Sequence, residues 1–288
     1  MRSLAVFVVL VTMFLATMFS VGAAKDEFQA NEFVKQHLNS IGTDQARAAV
    51  KNQVVQGDLT YQNLNVAGLV TGTLQYVSEG NKLVSVLKIP SPDYRGEQFT
   101  SDGQQTSIKQ PKPGIYSAMG RFVFEHDEVL TEGLWGGTLS TAWALAHFDE
   151  RHARLQDQGI KKVDGRDLHR VDYVPKKHSD LEIQLYFEPD TARHVLTVYS
   201  YSAMARAGGG PGASAGQEER RYRLEERFAD FKDADGLSLP GRWTIVYTSG
   251  GSGRTVGAGS ASSITQFEAT TTKVSHNMSL DPRNFEIK

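Results

Sequence analysis

The stretch that decides the fold is Leu181-Glu182-Ile183-Gln184-Leu185-Tyr186-Phe187, followed at once by Glu188-Pro189-Asp190-Thr191. In the first part, apolar residues occupy every second position, which is typical of a β-strand with one buried face. The second part has the proline, aspartate and threonine of a tight turn. Val195 to Tyr201 is again apolar and aromatic. The two stretches therefore predict antiparallel strands joined by a short turn.

The same period continues on both sides of this pair. Asp102-Gly103, Asp164-Gly165 and Asp235-Gly236 are turn signals between strand candidates, and Ser78-Glu79-Gly80-Asn81 has the composition of a turn. Arg121–Glu125 is predicted to be a short strand with Phe122 and Phe124 on one face. The remaining strand candidates are Val70–Tyr76, Lys82–Ile89, Glu97–Thr100, Gln105–Lys109, Arg221–Phe231, Trp243–Tyr247 and Ile264–Val274.

Two segments have a helical pattern instead. Within residues 27–50, Val34, Leu38 and Ile41 are spaced i, i+4, i+7, which places them on one face of a helix. Gly42 is a plausible C-terminal stop, and Thr43-Asp44 can cap a second short helix. Residues 128–148 are rich in Leu, Ala and Trp, and we expect one or two helices there, the better one from Leu139 to Phe148.

Strands joined by short turns rather than by helices argue against a parallel α/β sheet. We therefore predict an α+β fold: a single curved antiparallel β-sheet, or half-open β-barrel, with helices covering the concave face. Residues 25–288 are expected to form one domain, with a helical insertion near 128–150.

The N-terminus has the pattern of a cleavable export signal. Arg2 is the only charge in residues 1–24, an apolar run follows from Leu4 to Phe19, and small residues close it. A membrane anchor is the alternative, but the run is short for a span, which needs about 20 residues. We expect cleavage after Ala23 or Ala24 and a periplasmic mature protein.

The amino-acid composition excludes several classes of site and partner. The chain has no cysteine, so disulfides, a lipid on a cysteine and thiol chemistry are excluded. The net charge of −2 and the lack of a basic stripe argue against a nucleic-acid partner. Glu218–Glu226 mixes both charges and is expected to be an exposed strand with cross-strand ion pairs.

No catalytic, metal or cofactor motif has the context that it needs. Gly212–Gly216 spells G-x-S-x-G, but a glycine run precedes it where a nucleophile elbow requires a strand. That segment, within 207–216, and residues 249–259 are predicted to be glycine-rich loops, and neither contains a phosphate loop. His147 and His152 are five residues apart, not the four that present a zinc pair on a helix. We therefore expect no cofactor.

Many of the predicted strands have an apolar face. Such faces usually form ordinary core, but a strongly curved sheet can enclose an apolar cavity instead. The residues predicted to line such a cavity are Val70, Leu74, Tyr76, Phe122, Phe124, Leu181, Ile183, Leu185, Phe187, Trp243, Ile245 and Tyr247.

Several segments together resemble the outer-membrane lipoprotein-sorting (LolA-like) superfamily. They are Leu38–Gly42 in the first helix, Val163–Arg166, Leu181–Thr191, Asp235–Pro240 with the following Gly241–Ile245, and the closing Leu280–Ile287. The pattern covers residues 27–60 and 160–288 well and residues 90–150 only loosely.

The resemblance implies a half-open barrel with helices as a lid over an apolar cavity, and carriage of lipid or lipoprotein acyl chains between membranes. It supplies no catalytic residues, so the protein is expected to be a non-enzymatic carrier. This prediction fails if the concave side of the sheet is filled, with no cavity. The alternative is a cell-envelope interaction module that holds a protein partner, such as a cell-envelope membrane protein. An exposed apolar groove would favour this alternative. An exported hydrolase would need a Ser or carboxylate beside a His, and no such set is visible.

Overall fold

The computed structural model describes residues 28–91, 94–110, 116–205, 218–251 and 263–287. The expected signal segment, residues 1–24, the loop 207–216 and most of the loop 249–259 lie outside these ranges. Among the described residues, no helix has the length and apolar character needed to cross a bilayer.

Fourteen strands are described in chain order. They are β1 (Asn52–Asn63), β2 (Val70–Glu79), β3 (Lys82–Lys88), β4 (Gly96–Ser101), β5 (Thr106–Lys109), β6 (Arg154–Val163), β7 (Arg166–Val174), β8 (Glu182–Phe187), β9 (His194–Ala205), β10 (Glu218–Ala229), β11 (Lys232–Ala234), β12 (Leu237–Leu239), β13 (Arg242–Gly251) and β14 (Ser263–His276). β11 and β12 form a small hairpin, and the other twelve strands form one sheet.

The sheet is antiparallel throughout and follows the order β5-β4-β3-β2-β1-β14-β13-β10-β9-β8-β7-β6. The first and last strands of the chain therefore pair near its centre, with Leu59 opposite Ala269. Strands β5 and β6 are the two edges and do not pair with each other within the described part of the chain. The predicted half-open, curved antiparallel sheet is confirmed.

A bulge bends the central strand pair. The register of β1 against β14 shifts between Gln56 and Gly57. A Cβ atom at Gly57 would lie 2.6 Å from the carbonyl oxygen of Thr270, so only glycine allows the two backbones to approach this closely. Bulges increase local twist and bend, which helps to curl a wide sheet into an open barrel.

Helices are few and short. They are α1 (Ala30–Ile41), α2 (Asp44–Ala49), α3 (Ala118–Glu125), α4 (Glu128–Thr131) and α5 (Phe148–Arg151), with 3₁₀ turns at Gly137–Leu139, Ala144–His147 and Pro282–Phe285. The predicted helical start is confirmed: α1 ends at Gly42, and the Thr43 hydroxyl accepts a hydrogen bond from the Ala46 N–H at 3.1 Å. Phe33 of α1 packs edge-on against Phe187 of β8, with ring centroids 4.8 Å apart.

The predicted strand Arg121–Glu125 is wrong, because these residues form the end of α3. Residues two apart point to nearly opposite sides of a helix. Phe122 is accordingly buried, whereas Phe124 is 51% exposed. The helix is started by Ser117, whose hydroxyl accepts a hydrogen bond from the Gly120 N–H at 2.9 Å.

The predicted helix Leu139–Phe148 is also wrong. This stretch consists of separate 3₁₀ turns, and Gly133, Gly136 and Gly137 just before it all have positive φ. The left-handed conformation at three nearby glycines interrupts a continuous helix. The insertion therefore crosses the concave face as a chain of single turns.

Candidate functional site

The concave face of the sheet is covered by residues 128–151, which we call the plug. Its large side chains are buried against the sheet, including Leu134, Trp135, Leu139 and Trp143. The Trp135 ring lies 5.0 Å from Phe99 and 5.2 Å from Trp243, measured between centroids. The plug thus occupies the space that a preformed acyl cavity would need.

A glycine turn lets the plug approach the sheet closely. Gly136 has φ 75°, and a Cβ atom there would lie 2.7 Å from the ring of Tyr76. The Tyr76 hydroxyl donates a hydrogen bond to the carbonyl oxygen of Trp135 at 2.7 Å. One aromatic side chain of β2 therefore supports this turn by contact and by a hydrogen bond.

A buried carboxylate holds the same turn from the sheet side. Glu226 lies in the middle of β10, fully buried, and accepts three hydrogen bonds. They come from the main-chain N–H of Gly136 at 2.7 Å, the hydroxyl of Tyr199 at 2.8 Å and the indole N–H of Trp243 at 2.9 Å. No cation is among these partners, so neutral donors alone compensate the desolvation of this acid.

Burial raises the pKa of Glu226 to about 7, although the hydrogen bonds from Gly136, Tyr199 and Trp243 act in the opposite direction. Burial also raises the pKa of Tyr199 well above its ordinary value, so its hydroxyl keeps the proton that it donates. The carboxyl group therefore titrates near neutral pH, at the contact between plug and sheet.

A second buried polar contact joins the plug to α1. The indole N–H of Trp143 donates to Nε2 of His37 at 2.8 Å, and Nδ1 of His37 lies 2.8 Å from the carbonyl oxygen of Ala192. Burial lowers the pKa of His37 to about 4, so the imidazole is neutral at pH 7. Since Nε2 accepts, its proton is on Nδ1, which donates to Ala192. Trp143 also stacks on His194 at 4.7 Å.

Residues in both halves of the plug form hydrogen bonds with residues of the sheet. Gln53 donates from its side chain to the carbonyl oxygen of Leu139 at 2.8 Å, and the N–H of Thr141 donates to the Ser78 hydroxyl at 2.9 Å. At the other side, the Tyr173 hydroxyl donates to Glu132 at 2.6 Å. The first two contacts satisfy backbone groups of Leu139 and Thr141 that an unbroken helix would have paired internally.

A groove of about 410 Å³ opens where the plug meets α1, α2 and the β11–β12 hairpin. Its apolar wall includes Leu38, Trp143 and Leu239, and Lys51 lies at its rim. The hydroxyl of Thr138, which is 7% exposed, lacks a hydrogen-bond partner among the described residues. This partly apolar groove lies beside the plug.

The structure brings together most of the residues predicted to line a cavity. Ten are buried in one cluster on the concave side: Leu74, Tyr76, Phe122, Leu181, Ile183, Leu185, Phe187, Trp243, Ile245 and Tyr247. Val70 packs against that cluster while partly exposed. Phe124 is outside it and stacks on Tyr116 at 5.2 Å. That these residues contact a ligand stays a prediction.

Sequence reasoning missed the buried polar residues. Glu226 was expected in an exposed run of mixed charge, but it is on the inner face of β10 with Leu224 and Phe228, while Arg223 and Glu225 point outward. The alternation of Leu224, Glu226 and Phe228 could have revealed its inward position. Nothing in the spacing of His37 and His194 indicates that they are buried.

A scan of protein-family models and a search of curated proteins found no match to the chain. Among solved structures, a LolA superfamily protein from Nitrosomonas europaea is 14% identical, with 90% of this chain and 98% of that chain covered and a TM-score of 0.48. A DUF1329 family protein from Desulfovibrio piger is 13% identical, with 88% and 96% covered and a TM-score of 0.47. An outer membrane lipoprotein-sorting protein domain from Vibrio parahaemolyticus is 12% identical, with 89% and 97% covered and a TM-score of 0.45. The chain is thus similar, over most of its length, to these three solved structures.

Proposed function

We propose that the protein binds acyl chains of lipids or lipoproteins on the concave face of its sheet, without catalysis, and that the plug leaves this face when a chain enters. The observation that carries the proposal is the continuous apolar face beneath a cover made of single turns. The plug fills the concave face, which is the outcome that counts against a preformed cavity, so the proposal requires the plug to leave. In this proposal the filled face is a closed form, in which plug side chains take the place of the ligand.

Burial of an acyl chain would offset part of the free energy lost when the plug leaves. Buried methylenes contribute about 0.8 kcal/mol each, and a typical buried hydrogen bond contributes about 1 kcal/mol net. The plug gives up the hydrogen bonds of Gly136 and Trp143 on leaving. An acyl chain of a dozen or so methylenes offers about 10 kcal/mol of burial. This offsets those bonds and part of the apolar contact that the plug loses.

The place of action follows from the N-terminal signal pattern. We propose export through residues 1–24, cleavage after Ala23 or Ala24, and work in the periplasm.

The test is to lock the plug. The Thr141 N–H lies 2.9 Å from the Ser78 hydroxyl. A Ser78→Cys/Thr141→Cys pair is designed to join plug and β2, its disulfide is verified by intact mass before and after reduction, and the chain has no cysteine of its own to compete. Uptake of a fluorescent palmitate analogue is measured with the disulfide closed and, as the matched control, in the same protein after reduction.

We expect uptake by the reduced form and loss of uptake by the oxidised form. Equal uptake by both forms would show that the plug does not have to move. Absence of uptake in the reduced and unsubstituted proteins alike would contradict acyl-chain binding itself.

The second candidate is a cell-envelope module that holds a protein partner, again without catalysis. The observation that favours it is the same filled concave face, together with the open groove beside Leu38 and Trp143. In this case the plug would stay on the concave face at all times, and a segment of the partner would bind in the groove. The oxidised Ser78→Cys/Thr141→Cys protein would keep that partner, which separates this candidate from the first.

A further inference from the structure

The contact between the plug and the middle of the sheet contains a buried acid whose partners are all neutral. The carboxylate of Glu226 accepts from the Gly136 N–H of the plug at 2.7 Å, and its other two donors, Tyr199 and Trp243, belong to the sheet. Ionisation of Glu226 under the plug therefore leaves a buried negative charge that no described cation compensates. If the plug leaves, the same carboxylate gains access to water, which stabilises its charged form.

The other buried titratable groups on the inner face around Glu226 are uncharged at neutral pH. They are Tyr199 and His194 of β9, Tyr76 of β2, Tyr247 of β13 and His37 of α1. Burial raises the pKa values of the three tyrosines and lowers those of the two histidines. The plug has no ionisable residue from Gly133 to Ala146, and on β10 itself Glu225 and Arg227 pair with each other on the outer face. Among the described residues, Glu226 is therefore the group at this contact whose charge changes near neutral pH.

The plug is held together by hydrogen bonds of its own. The Arg151 guanidinium donates to the carbonyl oxygens of Thr131 at 2.7 Å and of Ala142 at 3.0 Å. The N–H of Ala144 donates to the carbonyl oxygen of Gly133 at 3.2 Å. None of these bonds involves the sheet, so all of them can persist when the contact with Glu226 breaks. The plug can therefore separate from the sheet as one piece.

Several polar atoms at the interface between plug and sheet are buried without a hydrogen-bond partner among the described residues. On the plug they are the indole N–H of Trp135 and the hydroxyl of Thr138. On the sheet, Nδ1 of His194 also lacks a partner, and a Cβ atom at Gly137 would lie 3.1 Å from it. Unpaired polar groups destabilise the closed form, and water would pair them in an open form. The interface is thus less complete than an ordinary core.

We propose that the plug is a pH-dependent cover, in which deprotonation of Glu226 favours departure of the plug from the sheet and protonation favours its return. The inference rests on the proposed acyl-chain binding and adds a regulation to it, but the movement itself can be measured without lipid.

The direction follows from the proton balance. Burial raises the pKa of Glu226 to about 7 in the closed form, and hydration returns it towards its ordinary value of 4.5 in the open form. Opening therefore releases a proton between these values, so the equilibrium constant for opening should rise with pH through this range. His37 and His194 act in the opposite direction, because hydration lets them take up protons below about pH 6.5.

The experiment measures how readily a buried thiol in the plug becomes accessible in the exported protein as cells process it. Ala142→Cys, with Ala144→Cys as a second variant, places the thiol at a fully buried position of the plug. Val198→Cys is the control, because Val198 is fully buried in a separate cluster of β9 that the plug does not cover. Each variant is made with Glu226 and with Glu226→Gln, and melting temperatures confirm that all of them fold.

Reaction with a dithiodipyridine reagent is followed from pH 5 to pH 8, in the range where the rate is proportional to reagent concentration and reports the opening equilibrium. The result at each pH is the ratio of the rate with Glu226 to the rate with Glu226→Gln. This ratio cancels the ionisation of the thiol and the contribution of His37 and His194, which both proteins share.

We expect the plug thiol to react about tenfold or more faster than the thiol at position 198, and its ratio to rise by about tenfold or more from pH 5 to pH 8. Equal rates for the two thiols would overturn the proposal, because the plug would then open only when the whole protein unfolds. A ratio that stays flat or falls would also overturn it.

Uptake of the fluorescent palmitate analogue, measured on the same preparations, separates this inference from the proposed function. A flat ratio with normal uptake would overturn the pH dependence alone. A rising ratio without uptake would overturn acyl-chain binding and leave the movement of the plug in place.

Discussion

The main-chain N–H of Gly136 donates a hydrogen bond to the carboxylate of Glu226 at 2.7 Å, and this contact joins the plug to the middle of the sheet. The two residues are 90 positions apart in the chain. Glu226 also accepts from Tyr199 and Trp243, so one buried acid orders a turn and two aromatic side chains.

Glu226→Leu should be strongly destabilising, because it leaves three buried donors without an acceptor. Unpaired buried polar groups cost about 1–3 kcal/mol each, so a loss of about 3 kcal/mol or more is expected in urea unfolding. Glu226→Gln keeps one acceptor oxygen and should lose about 1 kcal/mol. The control is Glu225→Gln, on the outer face, where ion pairs with Arg223 and Arg227 are partly exposed and contribute less than about 1 kcal/mol. A control as costly as Glu226→Leu would contradict the role of Glu226.

The raised pKa of Glu226 predicts a pH dependence with a definite sign. Its pKa is about 7 in the folded protein and 4.5 ordinarily, so the folded state binds more protons between these values. The stability that this group contributes is complete below pH 4.5 and is lost as the pH rises through 7. It amounts to something on the order of 3 kcal/mol.

The measurement is the difference in unfolding free energy between the unsubstituted protein and Glu226→Gln from pH 4 to pH 8. His37 and His194, whose pKa values are lowered by burial, act in the opposite direction but are common to both proteins. The advantage of the unsubstituted protein should shrink as the pH rises. A difference that is flat or grows with pH would show that the pKa is not raised.

His37→Leu should loosen the end of the plug at Trp143. The substitution leaves the Trp143 N–H and the Ala192 carbonyl oxygen without their partner, which predicts a loss of about 2–4 kcal/mol. Tryptophan emission should also shift, because the Trp143 indole loses its hydrogen bond to α1 and becomes more mobile. His178→Leu, in an exposed turn, is the control. Equal stability of the two variants would contradict the contact.

Because residues 118–125 form a helix, substitution of Phe122 and of Phe124 should reduce stability by different amounts. Phe122→Ala removes a buried ring that lies 5.8 Å from Tyr247 and should cost about 3–5 kcal/mol. Phe124→Ala removes a half-exposed ring and should cost less than about 1 kcal/mol. Comparable losses at both positions would instead fit the strand that alternation predicts.

The parts of the fold that follow from local patterns were predictable. Strict alternation at Leu181–Phe187 and the turn at Asp235-Gly236 depend on neighbours along the chain, and both are confirmed. The plug was not predictable in the same way. Its apolar composition suits a helix, but left-handed glycines and long-range partners such as Ser78 decide its path.

In the candidate site, too, local sequence patterns predict some features, and distant partners decide the others. Which apolar residues share the concave face follows from the period of two. Glu226 is different, because a charged residue is expected outside unless its partners are known, and Gly136, Tyr199 and Trp243 come from three distant segments. Phe122 and Phe124 were misassigned because two aromatic residues two apart satisfy a strand pattern, while the helix depends on the cap at Ser117.

The most direct test of the central claim is native mass spectrometry of the protein purified from its own cell envelope, with lipids extracted from the same sample. The account predicts a stoichiometric lipid or acylated peptide that is retained by the unsubstituted protein and absent when the oxidised Ser78→Cys/Thr141→Cys protein is exposed to the same lipids. A mass without any ligand, unchanged after lipids are added, would contradict acyl-chain binding and favour the protein-holding module.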